Sequence, residues 1–109
     1  MIPANVRIFL CDRPVDMRRS FDGLAQSARE MLGKDPAEGG LFVFHGKDFR
    51  RLKLFWVDGY SVSVLARRLH GARFVLPKRS GVVPATLDVQ ELAALLKGVI
   101  RGDRSGRLH

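Results

Sequence analysis

Apolar positions change their period several times along the chain, and each change marks an element. Val6 to Cys11 is a short apolar run closed by the turn-forming Asp12-Arg13-Pro14, which predicts a strand. From Ser20 onward Phe21, Leu24, Ala25, Ala28, Met31 and Leu32 recur at helical spacing until Gly33 and Pro36 stop them, with Ser20 as candidate cap. After a Pro36 to Gly40 link the period becomes strand-like over Leu41 to His45, followed by a turn at Gly46-Lys47-Asp48. Arg51, Lys53, Phe55 and Val57 then alternate with Leu52, Leu54 and Trp56, and the second set is the expected core face. Asp58-Gly59 predicts a hairpin into a strand over Ser61 to Leu69, with Val62, Val64 and Ala66 on one face and Ser61, Ser63 and Arg67 on the other. His70-Gly71 supplies another turn, and Arg73 to Leu76 a last strand ended by Pro77.

Lys78 to Pro84 reads as an exposed loop. Asp88 with Glu91 three residues on forms a capping-box pattern ahead of Leu92, Leu95, Leu96 and Val99, a second amphipathic helix. Arg101 to His109 carries arginines and glycines without apolar periodicity, and disorder is expected there. The order β-α-β-β-β-β-α predicts an α+β class: an antiparallel sheet of four to five strands with two helices packed on one face. A single domain over residues 1–100 and a basic tail over 101–109 follow.

Composition sharpens this. A chain of 109 residues that is 46% hydrophobic can bury one modest core. Its 19 Lys+Arg against 11 Asp+Glu leave a net charge of +8, and arginine dominates, which favours planar contacts with phosphate or carboxylate. A polyanion is therefore the first expected partner. The bland alternative is that the cations are solvated or paired with Asp12, Asp16, Asp22, Asp48 and Asp58. Cys11 is the lone cysteine, which excludes an intrachain disulfide and a zinc cluster, and its place after Ile8-Phe9-Leu10 makes it a small buried hydrophobe. Pro3, Asn5 and Arg7 interrupt any apolar start, so neither a signal peptide nor a membrane span is expected, and the cytoplasm is the expected location.

The candidate phosphate-contacting residues are Arg18, Arg19, Arg50, Arg51, Lys53, Arg67, Arg68 and Arg73, spaced between aromatic residues. Phe55 shares a strand face with Arg51 and Lys53, which makes it the candidate for base stacking if that face is open, whereas Trp56 belongs with the core. Asp16 and Asp22 lack a neighbouring His or Glu at ligand spacing, so neither a metal nor another cofactor is expected. His45, His70 and His109 are scattered. The one catalytic alternative is a ribonuclease-like grouping of His45 with Arg51 and Lys53 across the hairpin, and it is weaker than a non-enzymatic reading.

Three ordered blocks resemble the TnpB accessory protein, the second open reading frame of IS66-type insertion sequences. They are Asp16-Met17-Arg18-Arg19-Ser20-Phe21-Asp22-Gly23-Leu24; Leu41-Phe42-Val43-Phe44 with Arg51-Leu52-Lys53-Leu54-Phe55-Trp56 and Asp58-Gly59; and Arg67-Arg68-Leu69 with Gly71, Arg73-Phe74 and Pro77. The chain departs from the family pattern at Leu76, where tryptophan is usual, at His70, near a usual glutamate, and at Val99-Ile100-Arg101. This family is distinct from the RNA-guided nucleases that share the name. The resemblance implies a bacterial, non-catalytic companion of a DDE-type transposase, with DNA and that transposase as partners. The alternative it leaves open is a protein-interaction module that docks the transposase without touching DNA. Oligomeric state is open.

Overall fold

The computed structural model describes residues 6–77 and 85–100. In chain order the elements are β1 (Ile8–Leu10), α1 (Phe21–Leu32), a 3-10 turn (Pro36–Glu38), β2 (Leu41–His45), β3 (Arg51–Asp58), β4 (Ser61–Arg68), β5 (Ala72–Arg73), β6 (Ala85–Leu87), α2 (Val89–Lys97) and β7 (Val99–Ile100). The main sheet runs β4-β3-β2-β1-β6, and β5 with β7 makes a separate two-stranded ribbon. β1 and β2 are parallel, with Ile8 opposite Leu41, and α1 is the crossover that a parallel pair requires. Every other pairing is antiparallel, including the eight-residue register of β3 on β4.

The α+β class and the five-stranded, mostly antiparallel sheet agree with the sequence. The helix placement does not: α1 and α2 cover opposite faces. On one side Leu24, Ala28 and Leu32 of α1 pack over Phe9, Phe42, Phe44 and Phe55. On the other, Leu92 and Leu95 of α2 join Ile8, Leu10, Leu41, Val43, Leu52, Leu54, Trp56 and Phe74. The reason lies in the central strands, since β1 and β2 are buried at every position and an apolar run without alternation needs cover on both faces. Side chains such as Leu24, Phe42 and Leu54 are fully buried, each a gain of about 1.5–3 kcal/mol over exposure.

Other expectations are corrected in detail. Ser20 precedes α1 but its side chain makes no capping hydrogen bond, whereas Asp88 and Glu91 do form the full capping box of α2. The strand expected over Arg73 to Leu76 is only Ala72–Arg73, and it pairs with β7 instead of extending the meander. Val99, expected in the second helix, lies in β7 because α2 ends at Lys97 and Gly98 turns the chain at φ 72°. β6 is too short to show a period, and its buried Ala85 and Leu87 flank an exposed Thr86. The exposed loop over residues 78–84 and the disordered tail over 101–109 lie outside the described residues.

Candidate nucleic-acid interface

The turn between β1 and α1 is anchored at several points. Val15 N–H donates to His45 O at 2.9 Å, and the Met17 side chain packs so closely on Gly46 that a Cβ there would sit 2.8 Å from Met17 Cγ. Arg18 closes on Asp16 through its backbone N–H and the Nε–Nη2 edge of its guanidinium, with Nη2 2.8 Å from Oδ2. Those bonds hold the Asp16 carboxyl well below the usual carboxylate range and raise the Arg18 guanidinium. Arg19 instead folds along α1, where Nη1 donates to Ser27 Oγ at 2.9 Å and to Gly23 O at 3.3 Å. Gly23 leaves room for that stem, since a Cβ would lie 3.1 Å from Arg19 Cβ and Cγ. The first resembling block is thus a folding unit: it clamps one arginine, lays the other on the helix and delivers Leu24 to the core.

Lys53 Nζ crosses from β3 to donate to Arg19 O at 2.7 Å, which ties this turn to the sheet. Beside that tie lies a shallow groove of about 140 Å³ lined by Met17, Arg51, Lys53, Ala66, Arg67 and Arg68. Its charge follows from register. Arg51 stands directly opposite Arg68, and Lys53 opposite Ala66, all on the α1 side, while Arg67 opposes Leu52. Like charges directly opposed across strands destabilise a sheet. Among the described residues the one carboxylate within ion-pair distance of these cations is Asp48, 3.7 Å from Arg51, and Arg50 N–H bonding to Asp48 together with the Arg51 charge lowers that carboxyl below its ordinary value. Arg50, Arg67, Arg68 and Arg73 have no ion-pair partner among the described residues.

The predicted cations therefore divide. Arg51, Lys53 and Arg68 share the groove and Arg67, which also borders it, belongs by alternation to the α2 face, whereas Arg19 is committed to α1 and Arg18 to Asp16, although the Arg18 side chain is still 89% exposed. Arg50 is held through its backbone, whose carbonyl accepts from Leu69 N at 2.8 Å. Arg73 is exposed in the separate ribbon.

Phe55 is withdrawn as a stacking residue: it is fully buried between the sheet and α1, with Phe42 6.4 Å away centroid to centroid. Trp56 and Phe74 lie in the other core, as strand position required for Trp56. The His45, Arg51 and Lys53 grouping is not assembled. His45 is completely buried, pairs in register with Leu52 and stacks on Phe49. Its Nδ1–H donates to Gly46 O at 3.1 Å, which leaves Nε2 as a buried acceptor without a partner among the described residues. Cys11 is buried as expected, and burial pushes its thiol up, so it stays protonated and unreactive at neutral pH. Asp16 is spent on Arg18, and no acidic, histidine or cysteine cluster suited to a metal occurs among the described residues. A feature the sequence did not signal is a cleft of about 500 Å³ where Arg7 and Lys34 meet Asp35 and Glu38, a mixed-charge surface unlike the groove.

Two kinds of relative match this chain. The family described as IS66 Orf2 like protein matches residues 6–104. An uncharacterized protein of Sinorhizobium fredii, y4hO, is 38% identical over 101 residues, covering 91% of this chain and 87% of that relative. A second from the same organism, y4jC, is 33% identical over 73 residues, covering 67% of this chain and 62% of that relative. No solved structure matches the chain. None of the helices among the described residues is long and apolar enough to cross a membrane.

Proposed function

The chain belongs to the IS66 Orf2-like family, whose members have an accessory role associated with transposition, and from that premise we propose that this protein serves transposition by holding DNA in the Arg51-Lys53-Arg68 groove. Arg18, Arg50 and Arg73 extend the positive surface beyond the groove, and Arg19 supports it by fixing the turn. The observation that carries the reading is the Arg51–Arg68 juxtaposition, a repulsive cross-strand pair that a phosphate would neutralise from outside. Among the described residues nothing in the groove offers a helix or ribbon shaped to read base edges. The contacts are therefore with the backbone, positioning the protein without selecting sequence. The DDE-type transposase of the same element is the protein that this DNA-bound factor assists, and no catalytic step is assigned to the chain itself.

Fluorescence anisotropy with labelled duplex and single-stranded DNA, element-end and scrambled, tests this. Three phosphate contacts on duplex DNA, from Arg51, Lys53 and Arg68, predict a slope of about −3 in log affinity against log salt. The double variant Arg51→Glu with Arg68→Glu should weaken binding on the order of tenfold or more at low salt while its circular dichroism stays native. Unchanged binding by that variant would remove the groove from the function, and no binding of the natural chain at low salt would move it to a transposase-docking module.

A further inference from the structure

We infer that β4 is a dimerisation strand, which pairs antiparallel with the β4 of a second copy to make one continuous ten-stranded sheet. The two edges of the main sheet differ. β6 is three residues long, and so is blunted by its shortness, whereas β4 presents eight residues paired to β3 without a break. Natural sheets protect such an edge with proline, inward charge or a bulge, yet Ser61 to Ala66 contains no charge and no proline, and its register carries no bulge. Alternation fixes which groups are free. Leu69 N–H bonds to Arg50 O, so the odd-numbered residues of β4 face β3, and the N–H and C=O groups of Val62, Val64, Ala66 and Arg68 point outward with no partner among the described residues.

A second copy fits that edge because the strand is complementary to itself when reversed. A two-fold axis at Val64 sets Val64 against Val64 and Val62 against Ala66. It carries each Arg68 to the partner's fully exposed Tyr60, beside the Asp58 end of the hairpin. Tyr60 then gains a cation–π contact, and Val62, which is exposed alone, gains apolar cover. A parallel partner would set Arg67 and Arg68 against their own copies. The axis stands perpendicular to the sheet, so both grooves face the same side, the two Arg68 Cα positions about 27 Å apart along the strands. The dimer does not depend on DNA binding.

Sedimentation velocity of the full chain without DNA is the test. A concentration-dependent dimer is expected, and Ala66→Pro, which removes only an outward N–H, and Val62→Lys should each return it to monomer with unchanged circular dichroism. Under mild oxidation, Tyr60→Cys with Arg68→Cys in one chain should cross-link two copies, whereas either substitution alone should not, Cys11 being buried. A monomer at the highest soluble concentration would overturn the inference. So would a dimer that survives both edge variants, and cross-linking by either cysteine alone would overturn the register.

Discussion

β3 serves two faces differently. Toward α2 it presents Leu52, Leu54 and Trp56, buried from end to end; toward α1 it presents Arg51 and Lys53 and only then the buried Phe55 and half-buried Val57. One strand thus has a full apolar face and a face that is half core and half cationic. The difference is one of cover: α1 reaches as far as Phe55, and past its start the sheet is bordered, among the described residues, by the Asp16–Arg19 turn. Where cover ends, the chain substitutes cations that no core could hold, and the register opposes two of them at Arg51 and Arg68.

The largest effects come from breaking the covered side. Leu54→Ala should cost about 2–5 kcal/mol in urea unfolding, because the side chain is wholly buried and the cavity cannot collapse between sheet and α2. Leu65 is its neighbour opposite on β4 and shares its face but is 42% exposed, so Leu65→Ala should stay within about 0.5 kcal/mol. Equal losses at the two sites would show that cover does not end where the geometry places it.

The cationic side should respond in the opposite sense. Arg68→Glu turns a like-charged cross-strand pair into an opposite one, and should raise stability by about 0.2–1 kcal/mol while DNA binding falls. A variant that loses both stability and binding would mean that Arg68 is structural. Lys53→Met should lose about 1 kcal/mol, since it removes the bond to Arg19 O that ties the turn to the sheet. If Lys53→Met unfolds at the natural midpoint, that tie contributes nothing.

Much of this was legible before the structure. The alternation Arg51-Leu52-Lys53-Leu54 marked an open face and a core face correctly at that end of β3, and Asp88 with Glu91 marked the start of α2. The helix placement was misread, both helices being expected on one face, although the unbroken apolar runs of β1 and β2 signalled cover on both, because a strand with one wet face alternates and these do not. Phe55 was misassigned because a two-residue period says which residues share a face, not how far a helix extends over that face. The pairing of β5 with β7 and the fate of His45 were not legible at all. They depend on contacts between segments distant in sequence, and two-residue strands carry no period.

The smallest expected effect isolates the turn from the groove. Arg18 holds the Asp16 carboxyl below its ordinary value, so Asp16 binds fewer protons folded than unfolded, and its contribution is complete above the unfolded value of about 3.9. It is lost as pH falls from there through the depressed folded value. Asp16→Asn should therefore lower the urea midpoint slightly at neutral pH, and the gap from the natural chain should close progressively below about pH 4. Added salt should narrow the gap at neutral pH as well, because both partners are open to solvent. A gap that persists unchanged in acid would assign the effect to the Asp16 Oδ1 bond with Arg18 N–H, which asparagine would then be failing to replace, and would leave the ion pair without a role in holding the turn beside the groove.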